Sequence, residues 1–280
     1  MAASRRRPER IVVVDNGTGT LDGPAVARAA PGAELVREPR NLGFAGGHNL
    51  VMRRALADGA THVFLLNNDA RLEPDCLDAL LDVAAGPRVG AVGAKVLEAN
   101  DPGRLWLAWG RVTWRAALVE RVGRGAPDGP PFDVVREVDW VAGCAMLLTR
   151  EALETVGGFD EDFFAYHEDV DWCVTARERG FRILFAPAAR VVHRGEGSLA
   201  ARGPANPARY LSARNTVLFA RKHGGALVRL RLAAAIGASL ALETLRGRRR
   251  ADRAVTALLW RGYRDGLLRR PLPLETLGLR

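Results

Sequence analysis

The sequence predicts an α/β layered fold: a mostly parallel sheet flanked by helices, followed by a basic helical extension at the C-terminal end. Three observations carry this. Short apolar, β-branched runs alternate with stretches of helical period over residues 11–96, the pattern of strands joined by helices. Polar turn clusters close two of those runs, at Asp15-Asn16-Gly17 and at Asn67-Asn68-Asp69, and in such sheets ligands sit at the carboxyl ends of strands. From Arg209 the pattern is helical to the end, and residues 201–280 hold 17 Lys+Arg against 4 Asp+Glu.

Taken in order, Ile11–Val14 is a β-branched strand running into the first turn. Leu21–Ala30 has helical spacing, and Glu34–Arg37 is a second short strand. Gly46–Ala57 is a helix entered through a glycine-rich turn. His62–Leu66 (HVFLL) is a buried strand. Pro74–Val83 is a helix with proline near its first turn, a favoured position. Val89–Val96 is a further strand. Residues 100–137 lose the rhythm and read as a loop or hairpin insertion over the sheet. Asp139–Thr149 returns to a buried strand, Arg150–Val156 to a helix, and Arg182–Ala186 to a strand closed by Pro187. The chain thus divides at 1–208, an α/β domain, and 209–280, a basic helical tail.

Composition narrows the setting. The chain has 280 residues, 48% of them hydrophobic, enough for one large domain with an appendage. The net charge of +9 comes from the tail, because residues 1–200 hold 24 basic and 28 acidic groups. Cys76, Cys144 and Cys173 are widely separated and odd in number, which fits a reducing cytosol and excludes a disulfide framework. MAASRRRPER is basic with no apolar stretch behind it, so it is not a secretory signal.

The densest chemistry lies in GGFDEDFFAYHEDVDWCVTARERGFRILFAPAARVVH, residues 157–193. Asp160, Glu161, Asp162, Glu168, Asp169 and Asp171 are interleaved with Phe159, Phe163, Phe164, Tyr166 and Trp172. Carboxylates set among aromatics lose water, and desolvation tunes them for proton transfer or metal binding. A helix starting at Glu168 would put Glu168 and Asp169 in its first turn, where the helix dipole favours the ionised form. Asp169 is read as a general base; Asp171 reads equally as part of a capping cluster. Asn67-Asn68-Asp69 offers oxygen ligands suited to Mg²⁺ or Mn²⁺ on a diphosphate, and reads equally as an Asn/Asp turn. The glycines of NLGFAGGHN (residues 41–49) would let backbone N–H groups approach a phosphate or sugar; alone they read as a tight turn. His193, directly after a strand, could give a neutral imidazole to a metal; alone it reads as a surface histidine among arginines.

In this order, VVVDNGTGT, NLGFAGGHN, FLLNNDARLEPD, GAVGAKVL, the acidic–aromatic block and ARYLSARNTVLFARKH resemble glycosyltransferase family 2, in particular its rhamnosyltransferase-like branch, over residues 10–223. The resemblance implies a GT-A fold and an inverting, Mg²⁺- or Mn²⁺-dependent transfer of a sugar from a nucleotide diphosphate, with dTDP-rhamnose suggested by the branch. It implies that Asp15 contacts the nucleotide base, and that Asn41, Gly43, Asn49, Asn67 and Asn68 line the donor side. Asp69 would end the metal motif with His193 beside it, and Asp169 would deprotonate the acceptor. Trp140, Gly143, Asp160, Glu168 and Trp172 would lie near the acceptor and donor sugar. It further implies a strand and helix ahead of the segment matching Ile11–Asp15. Only ten residues precede Ile11, so the expectation is a chain short of a central strand, or one whose true start lies upstream.

Three rivals stand beside that reading. A nucleotidyltransferase would carry a Gly-rich, Arg/Lys-bearing pyrophosphate loop near the N-terminus, which this sequence lacks. A non-catalytic descendant would serve as a binding or scaffold protein. Nucleic-acid binding through the tail has no recognition module behind it, so no nucleic-acid partner is expected. The expected partners are a nucleotide-sugar donor, a glycan or polyprenyl-linked acceptor used in cell-envelope polysaccharide assembly, and an anionic membrane surface. Leu232–Leu242, flanked by Arg229, Arg231, Arg246 and Arg248–Arg250, is too short to span a bilayer. With the amphipathic stretch Ala254–Leu268, it suits a membrane interface, or equally a packing face. The expected location is the cytoplasm, peripheral at the inner face of the plasma membrane.

Overall fold

The computed structural model describes residues 4–115, 118–195, 206–246 and 250–279. Arg248 and Arg249, named above as flanking the apolar stretch, lie outside them. The elements are β1 (Val12–Asn16), α1 (Gly23–Ala29), β2 (Glu34–Glu38), α2 (Gly43–Ala57), β3 (His62–Leu66), β4 (Ala70–Leu72), α3 (Cys76–Ala84) and β5 (Val89–Glu98). Then come β6 (Leu105–Leu107), β7 (Trp109–Val112), β8 (Val119–Val122), β9 (Arg136–Glu137), β10 (Ala145–Thr149), α4 (Arg150–Val156), α5 (Glu168–Glu178) and β11 (Arg182–His193). The chain ends in α6 (Pro207–His223), α7 (Ala226–Arg246) and α8 (Arg250–Leu267).

The α/β layering predicted from the alternation is present. The main sheet has the order β3-β10-β5-β11-β4, with β6 added to β5 and β9 to β11. It is mixed: β5 and β11 run parallel, while β10 runs antiparallel to both β3 and β5. Local sequence patterning does not report strand direction, and Asp139–Thr149 had only its buried character to offer. β1 and β2 pair parallel with each other as a separate two-stranded sheet. Cys76 and Leu80 of α3 pack with Val92, Leu147 and Val191 to form the core between α3 and the sheet. The three cysteines are free and buried.

The chain folds as two compact units. The first comprises 1–111, 121–161 and 169–195; the second comprises 112–120, 162–168 and 196–280. The 208/209 division expected from the sequence falls inside α6. In the first unit, the irregular stretch 100–137 supplies β6 and β9 to the main sheet. It is stapled there by Lys95, whose side chain is 2% exposed and whose Nζ donates to Asp128 and Asp133, each at 2.7 Å. A buried ammonium is tolerated only when paired in this way.

In the second unit, α8 crosses α6 at backbone distance. A Cβ at Gly262 would lie 2.5 Å from the Tyr210 carbonyl oxygen, and one at Gly266 would lie 2.7 Å from that of Arg214. Tyr210 donates its hydroxyl to buried Asp265 at 3.0 Å, and Arg264 pairs with the same carboxylate at 2.9 Å. Leu258 joins a cluster with Phe164, Tyr210, Leu211, Leu277 and Leu279. The amphipathic stretch 254–268 therefore buries one face against its own unit, while Trp260, Leu267 and Leu268 stay exposed. Among the described residues, no helix is long and apolar enough to cross a membrane.

Candidate active site

The first station forms where β1 ends. Buried Asp15 accepts hydrogen bonds from the backbone N–H groups of Thr18, Gly19 and Leu21, from the Thr18 hydroxyl, and from Arg37. The Thr18 hydroxyl, more than any other donor, holds its carboxyl below the usual range. In this structure the carboxylate organises the turn after β1. Asn16, the last residue of β1 and by its sequence context an ordinary turn residue, donates to Gly43 O at 2.7 Å and accepts from Leu42 N–H at 2.9 Å. Asn41 Oδ1 accepts from Gly43 N–H at 3.0 Å. The helix expected to start at Gly46 begins three residues earlier, so Gly43, which the glycine-rich turn before the helix would have held, lies inside α2.

Asn49, expected on the donor side, is committed elsewhere. It is buried, its Nδ2 donates to Phe159 O at 2.8 Å and Glu161 Oε1 at 2.9 Å, and its Oδ1 accepts from Phe159 N–H at 2.7 Å. Both ends of the amide tie down the start of the acidic–aromatic block. Gly158 permits this approach, because a Cβ there would lie 2.3 Å from Asn49 Oδ1.

The second station is the end of β3 facing the end of β11. His193 Nε2 lies 3.0 Å from Asp69 Oδ1 and 3.4 Å from Asn67 Nδ2. Burial pushes the imidazole below its ordinary pKa, with Asp69 partly offsetting the effect. The ring is therefore neutral near pH 7 and able to bind a cation. Asp69 Oδ1 and His193 Nδ1 are buried, and beyond the contact between Asp69 Oδ1 and His193 Nε2 neither has a hydrogen-bond partner among the described residues. Trp106 sits edge-on to His193, with centroids 4.6 Å apart, and the Arg121 guanidinium lies 5.9 Å from the Trp106 ring centroid. Trp106 and Arg121 come from the irregular insertion, where neither periodicity nor motif could flag them. Asn68 is exposed at the turn.

The third station is the start of α5. The helix begins at Glu168, which places Glu168 and Asp169 in its first turn. Asp169 Oδ2 accepts from Gly143 N–H at 2.9 Å, and Oδ1 accepts from Val170 N–H at 2.8 Å. Burial pushes the carboxyl above its ordinary range, against those two N–H groups and the positive charge of Arg121. The residue as a whole is half-buried. Phe44 packs against Gly143, where a Cβ would meet its ring at 3.0 Å.

Gly143 and Cys144 connect the second and third stations. While Gly143 N–H binds Asp169, Cys144 O accepts from Asn67 N–H at 3.0 Å. The Cys144 thiol is pushed up by burial and by the charges of both Asp169 and Asp69, so the two carboxylates act on one buried point.

Two expected site residues pack as core. Trp140 is 3% exposed and lies under β7, where a Cβ on Gly110 would fall 1.6 Å from its indole. Trp172 is 1% exposed and donates Nε1–H to Gly157 O at 2.8 Å. Glu168 is buried and Asp160 half-buried on the same block.

A family model described as "Glycosyltransferase like family 2" matches residues 4–210. The chain belongs to this family. This family-2 glycosyltransferase is 28% identical over 257 residues, 80% of its length and 79% of the relative's, to the N-acetylglucosaminyl-diphospho-decaprenol L-rhamnosyltransferase of Mycobacterium tuberculosis. It is 29% identical over 154 residues to the O-antigen biosynthesis protein RfbC of Myxococcus xanthus, covering 51% of this chain and 11% of that one. Among solved structures it resembles the mannosyltransferase PcManGT of Pyrobaculum calidifontis, in complex with GDP-Man and Mn²⁺, at a TM-score of 0.55 and 20% identity, covering 96% of this chain and 81% of that one. It also resembles GalNAc-T7 with UDP, GalNAc and Mn²⁺, at a TM-score of 0.58 and 14% identity, covering 77% of this chain and 43% of that one. These likenesses give it the GT-A-type fold.

Proposed function

We propose that this chain catalyses metal-dependent, inverting transfer of a sugar, with dTDP-rhamnose the expected donor, to a hydroxyl of a polyprenyl-linked or glycan acceptor in cell-envelope polysaccharide assembly. The observation that carries the reading is the Gly143–Cys144 link between two different carboxylates. Asp69 stands beside a neutral imidazole, suited to a cation. Asp169 is raised in pKa and half-buried, suited to accepting a proton.

The residues fit a divalent metal completed by its substrate. Asp69 Oδ1 is buried, and the polar group it faces among the described residues is the neutral His193 imidazole nitrogen at 3.0 Å. Among the described residues, no group of three or more His, Cys, Asp and Glu could hold a metal by itself. A cation held by Asp69 and His193 would thus take its other ligands from the diphosphate, as Mg²⁺ and Mn²⁺ do in phosphate-handling sites. Such a metal supplies charge neutralisation to the departing diphosphate. Asp169 takes the proton of the acceptor hydroxyl as that oxygen bonds to the anomeric carbon and the bond from that carbon to the diphosphate oxygen breaks. One displacement inverts the carbon and needs no nucleophile from the protein. Arg121 adds positive charge near Asp169 and Trp106.

The membrane partner rests on α7. Leu227, Leu230 and Leu242 are exposed, Leu230 to 67%, and Leu232 is its buried leucine among those described. Arg231 lies on the same helix, and RGRRR follows at 246–250. An exposed apolar helix with basic ends suits the surface of an anionic bilayer, where a polyprenyl-linked acceptor resides.

The test is a transfer assay with dTDP-rhamnose, Mn²⁺ and a polyprenyl-diphosphate N-acetylglucosamine acceptor, comparing the wild-type chain with Asp169→Asn. Rhamnosylated product from wild type alone supports the reading. Equal product from both removes Asp169 as base, and none from either with any nucleotide sugar leaves a binding role.

A further inference from the structure

Two adjacent residues of α6 hold four of the five carbonyls of the segment 162–166. Arg214 Nη1 donates to Asp162 O at 2.6 Å. Asn215 Nδ2 donates to Phe163 O at 2.7 Å, to Ala165 O at 2.9 Å and to Tyr166 O at 2.7 Å. The amide has two N–H protons, so one is shared between carbonyls. Arg214 Nη1 also donates to Asn215 Oδ1 at 3.2 Å, which fixes the amide with its NH₂ group toward the segment. Asn215 is 0% exposed.

The segment so held is strained. Phe164, Tyr166 and His167 have φ of 61°, 71° and 76°, the left-handed region that side-chain-bearing residues avoid. Such a run persists only where its surroundings over-determine it. Here the carbonyls turned toward α6, that of Phe163 buried and those of Ala165 and Tyr166 partly buried, are what the Asn215 amide satisfies. The segment continues without a break into α5, whose first two residues are Glu168 and Asp169.

We infer that Asn215, oriented by Arg214, is a positioning residue. It holds the strained Phe163–His167 turn, and the turn sets the start of α5 and hence the aim of the Asp169 carboxylate. The inference rests on the reading of Asp169 as the base. It explains why ARYLSARNTVLFARKH, far along the chain from the acidic–aromatic block, carries an adjacent Arg-Asn pair inside a helix where neither residue faces solvent.

Asn215→Asp keeps the size but sets a carboxylate against three carbonyls; Asn215→Ser is milder, leaving one donor. For both, the readouts are kcat and donor KM in the transfer assay, thermal unfolding, and amide hydrogen exchange. The expected result is kcat lowered 10- to 100-fold, the loss that a misaimed catalytic group brings. Donor KM should stay within about threefold, with faster exchange confined to residues 163–169. Unchanged kcat in both variants overturns the inference. So does a uniform loss in which kcat, donor KM, melting temperature and exchange across the sheet all change together, the mark of a merely structural role. If Asn215→Asp does not fold, Asn215→Ser decides by the same criteria. If the wild-type chain transfers no sugar, the enzymatic reading fails by itself. Exchange at 163–169 in Asn215→Ser then decides the clamp: faster exchange there upholds it, and unchanged exchange overturns it.

Discussion

The Gly143 N–H donates to Asp169 Oδ2 at 2.9 Å, and the next residue, Cys144, receives the Asn67 N–H on its carbonyl at 3.0 Å. One dipeptide therefore fixes the candidate base on one side and the end of β3, two residues before Asp69, on the other. A shift at either end reaches the other through the backbone of this dipeptide, by one hydrogen bond to the Asp169 carboxylate and one to the Asn67 backbone.

Asp169→Asn should separate stability from activity. Burial raises the folded-state pKa above the unfolded value, so folding favours the protonated form. That stabilising contribution is present below the unfolded pKa and is lost as pH rises through the folded one. The ionised aspartate thus carries a burial cost in the folded state which asparagine does not, while the asparagine Oδ1 can keep one of the two N–H groups, that of Gly143 or that of Val170. Melting temperature should be unchanged or higher, while transfer falls by roughly 10²–10⁴-fold. In the wild type, kcat/KM should rise with pH through a limb above the ordinary carboxylate range. A limb at or below that range would assign the proton transfer elsewhere.

His193→Ala and Asp69→Asn should each weaken Mn²⁺ binding in the presence of a nucleoside diphosphate, by about tenfold or more given the usual effect of disturbing a metal site. Calorimetric titration with Mn²⁺ checks this. The sign with pH follows from burial: the imidazole pKa is lowered, so Mn²⁺ binding should persist below the pH at which an ordinary histidine protonates. Unaltered Mn²⁺ affinity in both variants would place the cation away from this pair.

Much of this was legible in the sequence because it is local. The strand end at Leu66, the helix starting at Glu168 and the juxtaposed acidic and aromatic residues follow from short-range patterning, whereas β1 runs two residues past the Val14 end that patterning gives. The resemblance supplied the fold family, which the matched family model bears out. What was not legible depends on contacts between distant segments. Trp140 and Trp172 look like site aromatics in one dimension and pack as core in three, one beneath Gly110 and the other onto Gly157 O. Asn49 looks like a ligand-facing amide and instead clamps Phe159, 110 residues away. Trp106 and Arg121 lie in a stretch with no period, so nothing short-range linked them to His193.

Two glycine substitutions should differ in kind. At Gly110 an added Cβ falls 1.6 Å from the Trp140 ring, which the indole cannot accommodate without leaving its place under β7. Gly110→Ala should cost about 3 kcal/mol or prevent folding. At Gly143 the Cβ meets the Phe44 ring at 3.0 Å and Asp169 Cβ at 3.5 Å, so a small displacement suffices. Gly143→Ala should cost about 1 kcal/mol yet lower kcat around tenfold, because the displacement falls on the hydrogen bond that aims Asp169. Denaturant titration and steady-state kinetics on both variants check the contrast.

The exposed leucines of α7 predict how the chain should partition onto lipid. Leu227 and Leu230 lie three apart, one turn of helix, and are 57% and 67% exposed. Arg229 is engaged within the chain, its Nε donating to Gly224 O at the end of α6 at 2.9 Å, and the sequence also offers Arg231 and the arginines of RGRRR at 246–250. If the leucines enter the headgroup boundary, each contributes up to about 1.5 kcal/mol of apolar burial, and the arginines add attraction that salt screens. Vesicles containing anionic lipid should therefore bring down the wild-type chain at low ionic strength. The double variant Leu227→Ser, Leu230→Ser should bind at least tenfold more weakly, and raised salt should weaken both. If α7 covers itself with a second copy instead, light scattering would give a dimer for the wild type and a monomer for the double variant, with no vesicle binding by either. That result would reassign this face from lipid to self-association.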